Sequence, residues 1–170
     1  LAGTSTANEG QEAEWTSKEM QEQQLVSDAI EVALKTTFPS VQLKISAVES
    51  IRAGALWHLK TDVLAKSSDL SIAKVVKALH PTPAVGGVPK DESTIFILKN
   101  EGYDRKFYTG FLGLFEGDSN ADFFVNLRCA EITEKGYNVF VGAGITSKSD
   151  PINEWKETQR SQHMSAQGLA

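Results

Sequence analysis

Residues 141–158, VGAGITSKSDPINEWKET, leave the backbone little freedom. The pattern predicts a β-strand that ends on Gly142 and Gly144, a short polar loop, and then a helix. Asp150 suits the N-cap, and Pro151 suits the first helical position, where its missing N–H would have no helical partner anyway. Glycines just past a strand let backbone N–H groups come close to an anion, since a Cβ would stand in the way. Glu154 and Glu157 are three residues apart and share one face of the helix. The stretch therefore offers an anion cradle beside two carboxylates able to hold a hard cation, which suits an anionic substrate bound through Mg2+. The plainer alternative is a turn followed by a solvated helix face, and the rest of the chain decides between them.

The totals narrow the class. A chain of 170 residues is long enough for one domain with a real core, and the expected organisation is a single partial domain over 1–170. Hydrophobic content of 41% and charged content of 23% are those of an ordinary globular protein. The 17 basic and 22 acidic residues give a net charge of −5 without a Lys/Arg cluster, so nucleic acid is not an expected partner. Cys129 is the single cysteine, which excludes an internal disulfide and fits a reducing, cytoplasmic setting. No apolar run approaches the roughly 20 residues that span a bilayer, so a membrane is not expected either. The first residues, LAGTSTANEG, carry no basic segment followed by an apolar one, as a signal peptide would. They also lack an initiator Met, which points to part of a longer chain.

In chain order, residues 1–4 read as the tail of a strand, with Gly3 where backbone approaches a ligand, or as a frayed terminus. Thr16-Ser17-Lys18-Glu19 matches a capping box, and apolar residues at helical spacing then predict a helix over 17–35. Glu19 and Glu22 are a second pair of carboxylates three apart. Glu19 is spoken for by the capping box, which leaves Glu22 as the stronger ligand candidate. Residues 41–47 and 56–65 read as an antiparallel pair turning around Arg52-Ala53-Gly54. His58, between Trp57 and Leu59, reads as a hydrogen-bonded structural residue rather than a catalyst. A helix is expected from Ser68 or Asp69. Residues 80–89 contain three prolines and two glycines, which exclude helix and sheet and predict a stiff, site-lining loop. A helix from Pro89 to about Asn100, a strand over 106–116, and an antiparallel pair over 122–133 and 137–146 complete the reading. Arg128 falls within an apolar strand pattern and should meet a carboxylate, either of the protein or of a bound substrate. Helices and antiparallel strands in mixed order indicate an α+β fold.

Seven stretches together resemble one family: LAGT (1–4), KEMQEQQLV (18–26), LWHL (56–59), HPTPAVGG (80–87), EGYDRKFYTGFLG (101–113), NLRC (126–129) and GAGITSKSDPINEWKET (142–158). In this order and spacing they are similar to the C-terminal part of the chorismate-utilising enzymes, and within them to the isochorismate synthases, which carry HPTPA, a small residue and Gly. Anthranilate and aminodeoxychorismate synthases differ there, and their ARND-like ending after the first glutamate helix is VSDAIEVAL here. The resemblance implies two antiparallel sheets packed together with helices outside, in an enzyme expected to be monomeric. It implies Mg2+ between the glutamate helices, with Glu22 and Glu157 as principal ligands and Glu19 and Glu154 completing the shell. The ring carboxylate of chorismate would bind this ion near Gly3, and Arg128 with the backbone at Gly142 would take the enolpyruvyl carboxylate. Ala84, Tyr108 and Leu127 would pack along the substrate, with His58 and His80 in the pocket wall. The implied reaction adds water at C2 of chorismate with loss of the C4 hydroxyl, serving menaquinone or siderophore synthesis. Its Lys base and Glu acid would lie upstream of LAGT, so these 170 residues are expected to be inactive alone and to expose apolar faces. The family Lys expected four residues after Glu157 is Ser161 here, with Arg160 beside it, and the tail at 159–170 diverges. The alternatives are a salicylate synthase of the same family, or a non-catalytic Mg2+- or anion-binding module.

Overall fold

The computed structural model describes residues 1–5, 13–53, 56–116 and 120–167, with side chains except those of Ala2, Arg160 and 163–167. The elements are the expected mixture of helices and antiparallel strands, and the chain divides into two compact units, Leu1–Thr94 and Ile95–Ala170.

The first unit contains β1 (Ala2–Ser5), α1 (Ser17–Thr37), β2 (Gln42–Ile45), β3 (Glu49–Ala53), β4 (Leu56–Lys60), β5 (Val63–Lys66), α2 (Ile72–Leu79) and α3 (Pro83–Gly86). Helix α1 starts where the capping box requires. The Thr16 hydroxyl accepts from the Lys18 N–H at 3.2 Å, and the Glu19 carboxylate accepts from the Thr16 N–H at 3.0 Å. It ends at Phe38, whose N–H reaches the Leu34 carbonyl at 2.9 Å, just before Pro39. Strand β4 lies between β1 and β3, and α1 packs against β1, β4, α2 and α3. Leu34, Phe38 and Leu59 are almost fully buried, at 3%, 1% and 2% exposure. Burial of each contributes about 1.5–3 kcal/mol. The buried Gln23 amide donates to Thr61 Oγ1 at 2.8 Å, so a polar group under the sheet is satisfied rather than stranded.

Three expectations in this unit need correction. The strand expected over 56–65 is two strands, with β4 paired to β3 and β5 paired to β2. Strand β3 escapes a hydrophobic-pattern reading because it is an edge strand whose Glu49, Ser50 and Arg52 leave it mostly exposed. Arg52 and Ala53 belong to it, and the connection at 54–55 lies outside the described residues. Helix α2 begins at Ile72, because Ser71 rather than Ser68 caps it, accepting from the Lys74 N–H at 3.4 Å. The segment 80–89 is not wholly loop. Pro83 stands at the first helical position, where it is tolerated, so one helical turn forms before Gly87 closes it at φ +78°.

Helix α4 (Lys90–Asn100) runs across the division, and the second unit continues with β6 (Phe111–Phe115), β7 (Ala121–Val125), β8 (Cys129–Thr133), β9 (Gly136–Phe140) and α5 (Pro151–Gln167). Strands β6–β7 and β8–β9 form two separate antiparallel ribbons. The turn expected at 134–136 is present, with Gly136 at φ +140°. The strand expected over 106–116 starts only at Phe111, because residues up to Gly110 form a tight turn in which Lys106 and Thr109 have φ +50° and +63°. The strand expected over 122–133 is interrupted at 126–128, and its halves join different ribbons. The last strand stops at Phe140, where its ladder with Cys129 ends, so Gly142 and Gly144 belong to the following loop. Ile95, Phe96, Leu98, Leu114 and Ile132 are all more than half exposed, apolar surface of the kind that further protein normally covers.

Candidate active site

In the first unit, β1 brings Gly3 against the start of α1. Gly3 has φ +78°, and a Cβ there would stand 3.1 Å from Glu19 Cβ and 3.3 Å from both the Glu19 carbonyl oxygen and Leu59 Cδ1. The position therefore needs glycine twice over, for its backbone angle and for its closeness to the glutamate helix. Glu19 closes the capping box, as expected. Partial burial raises its pKa, but hydrogen bonds from Thr16 and the backbone outweigh that and hold the carboxyl below its usual range. A carboxylate with a lowered folded-state pKa stabilises the fold above its ordinary titration range, and that contribution is lost as pH falls. Thr16→Ala is expected to cost about 1 kcal/mol near pH 7 and less in acid, where Glu19 is protonated in both proteins. Denaturant titrations at neutral and acid pH measure the difference.

Glu22, one turn along, is mostly buried and ion-paired with Lys18 at 3.2 Å. That pairing was not part of the sequence reading, which left Glu22 without a structural duty. His58 sits on β4 opposite Thr4, with Nδ1 3.2 Å from Thr4 Oγ1, which matches the structural hydrogen-bonded role expected of it. His80 caps α2, its N–H donating to the Val76 carbonyl at 2.9 Å, and its carbonyl accepts from Lys90 Nζ. Burial, followed by the Lys90 charge, lowers the His80 pKa and favours the neutral ring. Ala84 lies exposed on α3.

In the second unit, Tyr108 and Gly142 meet. Tyr108 is 7% exposed and stacks on Phe140 at 5.6 Å between ring centroids. A Cβ on Gly142 would stand 2.8 Å from the Tyr108 hydroxyl oxygen, so the loop after β9 approaches the phenol as only glycine can. Burial raises the Tyr108 pKa and keeps the phenol protonated. Arg128 departs from the sequence reading. It lies exposed at a bend between β7 and β8 rather than inside a strand, because the strand pattern breaks at Asn126. Among the described residues no carboxylate forms a salt bridge with it. Pairing of Cys129 with Phe140 brings Arg128 and the 141–142 backbone to the same end of the β8–β9 ribbon. Leu127 is exposed there too.

Helix α5 starts as the sequence demands. Asp150 accepts from the Asn153 N–H through its carboxylate and from the Glu154 N–H through its carbonyl, both at 3.0 Å. Glu154 is 5% exposed and Glu157 is partly buried on the same face, while Trp155 points outward at 64% exposure. Each unit thus supplies one pair of carboxylates. No group of three or more His, Cys, Asp or Glu side chains able to hold a metal ion occurs among the described residues. The donor chemistry of either pair, hard anionic oxygens on a fixed helix face, is the kind Mg2+ accepts. Ser161 lies on α5, which continues into the tail that the sequence reading set apart at 159–170, and the Arg160 side chain is outside the described residues.

The sequence reading missed Glu101 and Arg105. Two hydrogen bonds join the Arg105 guanidinium to the Glu101 carboxylate, one from Nε at 2.7 Å. The sequence carried little signal for this pair, because α4 ends at Asn100 and residues 101–105 are not helical, so their four-residue spacing is not a helical one.

A family model described as chorismate binding enzyme matches residues 3–164, and the chain belongs to that family. It is similar to the salicylate biosynthesis isochorismate synthase of Pseudomonas aeruginosa, 39% identical over 145 residues that make up 84% of this chain and 30% of that protein. It is also similar to isochorismate synthase DhbC of Bacillus subtilis, 33% identical over 145 residues, 84% of this chain and 36% of that protein. The solved structure of MenF, the menaquinone-specific isochorismate synthase from Escherichia coli, matches with a TM-score of 0.84 at 28% identity, over 97% of this chain and 40% of that one. The chain therefore spans only about a third of the length of these curated relatives.

Proposed function

We propose that this chain forms the metal- and carboxylate-binding part of an isochorismate synthase, which converts chorismate to isochorismate. The observation that carries this reading is the end of the β8–β9 ribbon, where an exposed arginine with no salt bridge among the described residues lies at the same end as a glycine backbone held against a buried tyrosine. A guanidinium and backbone N–H groups at one place suit a carboxylate. The family match and the isochorismate synthases among the relatives support chorismate as the molecule that bears it.

In this reading Arg128 and the Gly142 backbone bind the enolpyruvyl carboxylate, and Tyr108 and Leu127 flank it. Glu22 and Glu157 hold Mg2+, with Glu19 and Glu154 next to it. When bound, the ion would supply neutralisation of the ring carboxylate and a fixed orientation for it. Gly3 keeps backbone rather than side chain beside the glutamate helix, where that carboxylate would lie. His58 and His80 line the wall. None of these residues acts as the general base or acid. The proposal leaves that chemistry to a Lys and a Glu upstream, and it expects no turnover from these 170 residues alone. It also places the protein in the cytoplasm, acting as a monomer.

The test is to extend the chain upstream to the length of its relatives, supply chorismate and Mg2+, and separate the products by chromatography. Isochorismate as the product is the expected result. Fluorescent salicylate would instead make the enzyme a salicylate synthase. Binding of Mg2+ or anions without any turnover would leave the non-catalytic module.

A further inference from the structure

We propose that the Glu101–Arg105 pair is a positioning device for the carboxylate-binding end of the substrate site, fixing the 104–110 turn so that Tyr108 stands against Gly142. The inference rests on the reading of Gly142 and Tyr108 as substrate contacts. The turn is costly by itself, since Lys106 and Thr109 both adopt left-handed backbone angles that side-chain-bearing residues avoid. It is held from two sides. On one side, the half-buried Arg105 joins Glu101 through two hydrogen bonds, and its Nη1 donates to Thr109 Oγ1 at 3.2 Å. The same guanidinium thus ties the end of α4 to the far side of the turn. On the other side, the Thr109 N–H donates to the Asn126 carbonyl, the Asn126 N–H to the Gly110 carbonyl and the Asn126 amide to the Phe107 carbonyl, each at 2.9 Å.

Tyr108 lies between these two clamps. Its N–H donates to the Arg105 carbonyl at 2.8 Å, its ring stacks on Phe140, and its hydroxyl fills the space a Gly142 side chain would need. Tyr103, just before the turn, places its ring 6.2 Å from Phe140, so both tyrosines bear on the strand that leads into the 141–144 loop. A planar guanidinium with two bonds to one carboxylate and a third to a hydroxyl fixes direction as well as distance, which a lysine ammonium does not. Asn126 also precedes Leu127 and Arg128, so a change in the turn reaches the backbone on either side of the carboxylate site.

The test uses the upstream-extended enzyme with 3-fluorotyrosine at position 108, and compares the parent with Glu101→Gln and Arg105→Lys. The expected result is a rise of roughly tenfold or more in KM for chorismate with kcat within about twofold, the signature of lost substrate binding, together with a shifted 19F resonance. Thr109→Val removes only the third bond and is expected to shift the same resonance, so it serves should either charge variant fold poorly. Unchanged KM in an active enzyme would overturn the proposal, whether or not the resonance moves. So would a fall in kcat alone. An inactive parent enzyme would instead overturn the functional reading, and the 19F spectra would still report whether the pair sets the position of Tyr108.

Discussion

Replacing Glu22 or Glu157 by alanine in the upstream-extended enzyme is expected to lower turnover of chorismate about a thousandfold, the several kcal/mol that a charge-neutralising ion supplies. The two changes should act alike although the residues lie on different helices, because in the proposed site each provides oxygen to one ion. They should not act alike on the fold. Glu22 is paired with Lys18 at 3.2 Å, so its removal takes one partner from a partly buried lysine and is expected to destabilise the first unit modestly. Removing Glu157 does not disturb that pair. Double replacement is expected to lower activity little further than either single one, since a site that has lost its ion has nothing more to lose. Turnover measured against Mg2+ concentration, beside a denaturation curve for each variant, separates the two contributions.

The second large effect is expected at Arg128. Arg128→Ala should raise KM for chorismate by roughly 30- to 150-fold, about 2–3 kcal/mol for a charge-assisted bond, with little change in stability. The expectation of unchanged stability comes from its surroundings, because the side chain is exposed and forms no salt bridge among the described residues. An arginine kept for structure would behave the other way, lowering the melting temperature and leaving KM alone. Arg128→Lys should fall between, since it keeps the charge but loses the two-pronged geometry. Steady-state kinetics and thermal unfolding of the three proteins measure this.

The local structure that carries the candidate site residues was legible in the sequence where residues within one turn decide it. The capping box at Thr16–Glu19 and the Asp150–Pro151 start of α5 appear as read, because each is settled by residues within one turn. The hairpin at Gly136 appears for the same reason. Strand partners were less legible. The apolar pattern of 56–65 does not show that Thr61 and Asp62 interrupt it, nor that the mostly polar β3 competes for its first half. The interruption at Asn126 was hidden in the same way. Its amide and backbone are taken by the 107–110 turn, a tertiary demand that no window of sequence reveals. That demand moved Arg128 from the strand interior where the sequence put it, with a protein carboxylate or a bound substrate as its open partners, to an exposed bend.

The most direct test of the central claim is calorimetric titration of Mg2+ into the upstream-extended protein saturated with chorismate analogue. The account predicts uptake of one ion per chain, lost in both Glu22→Ala and Glu157→Ala and kept in Arg128→Lys. Uptake that survives both glutamate changes would contradict it, because the two helices would then not share the ion on which the proposed site depends.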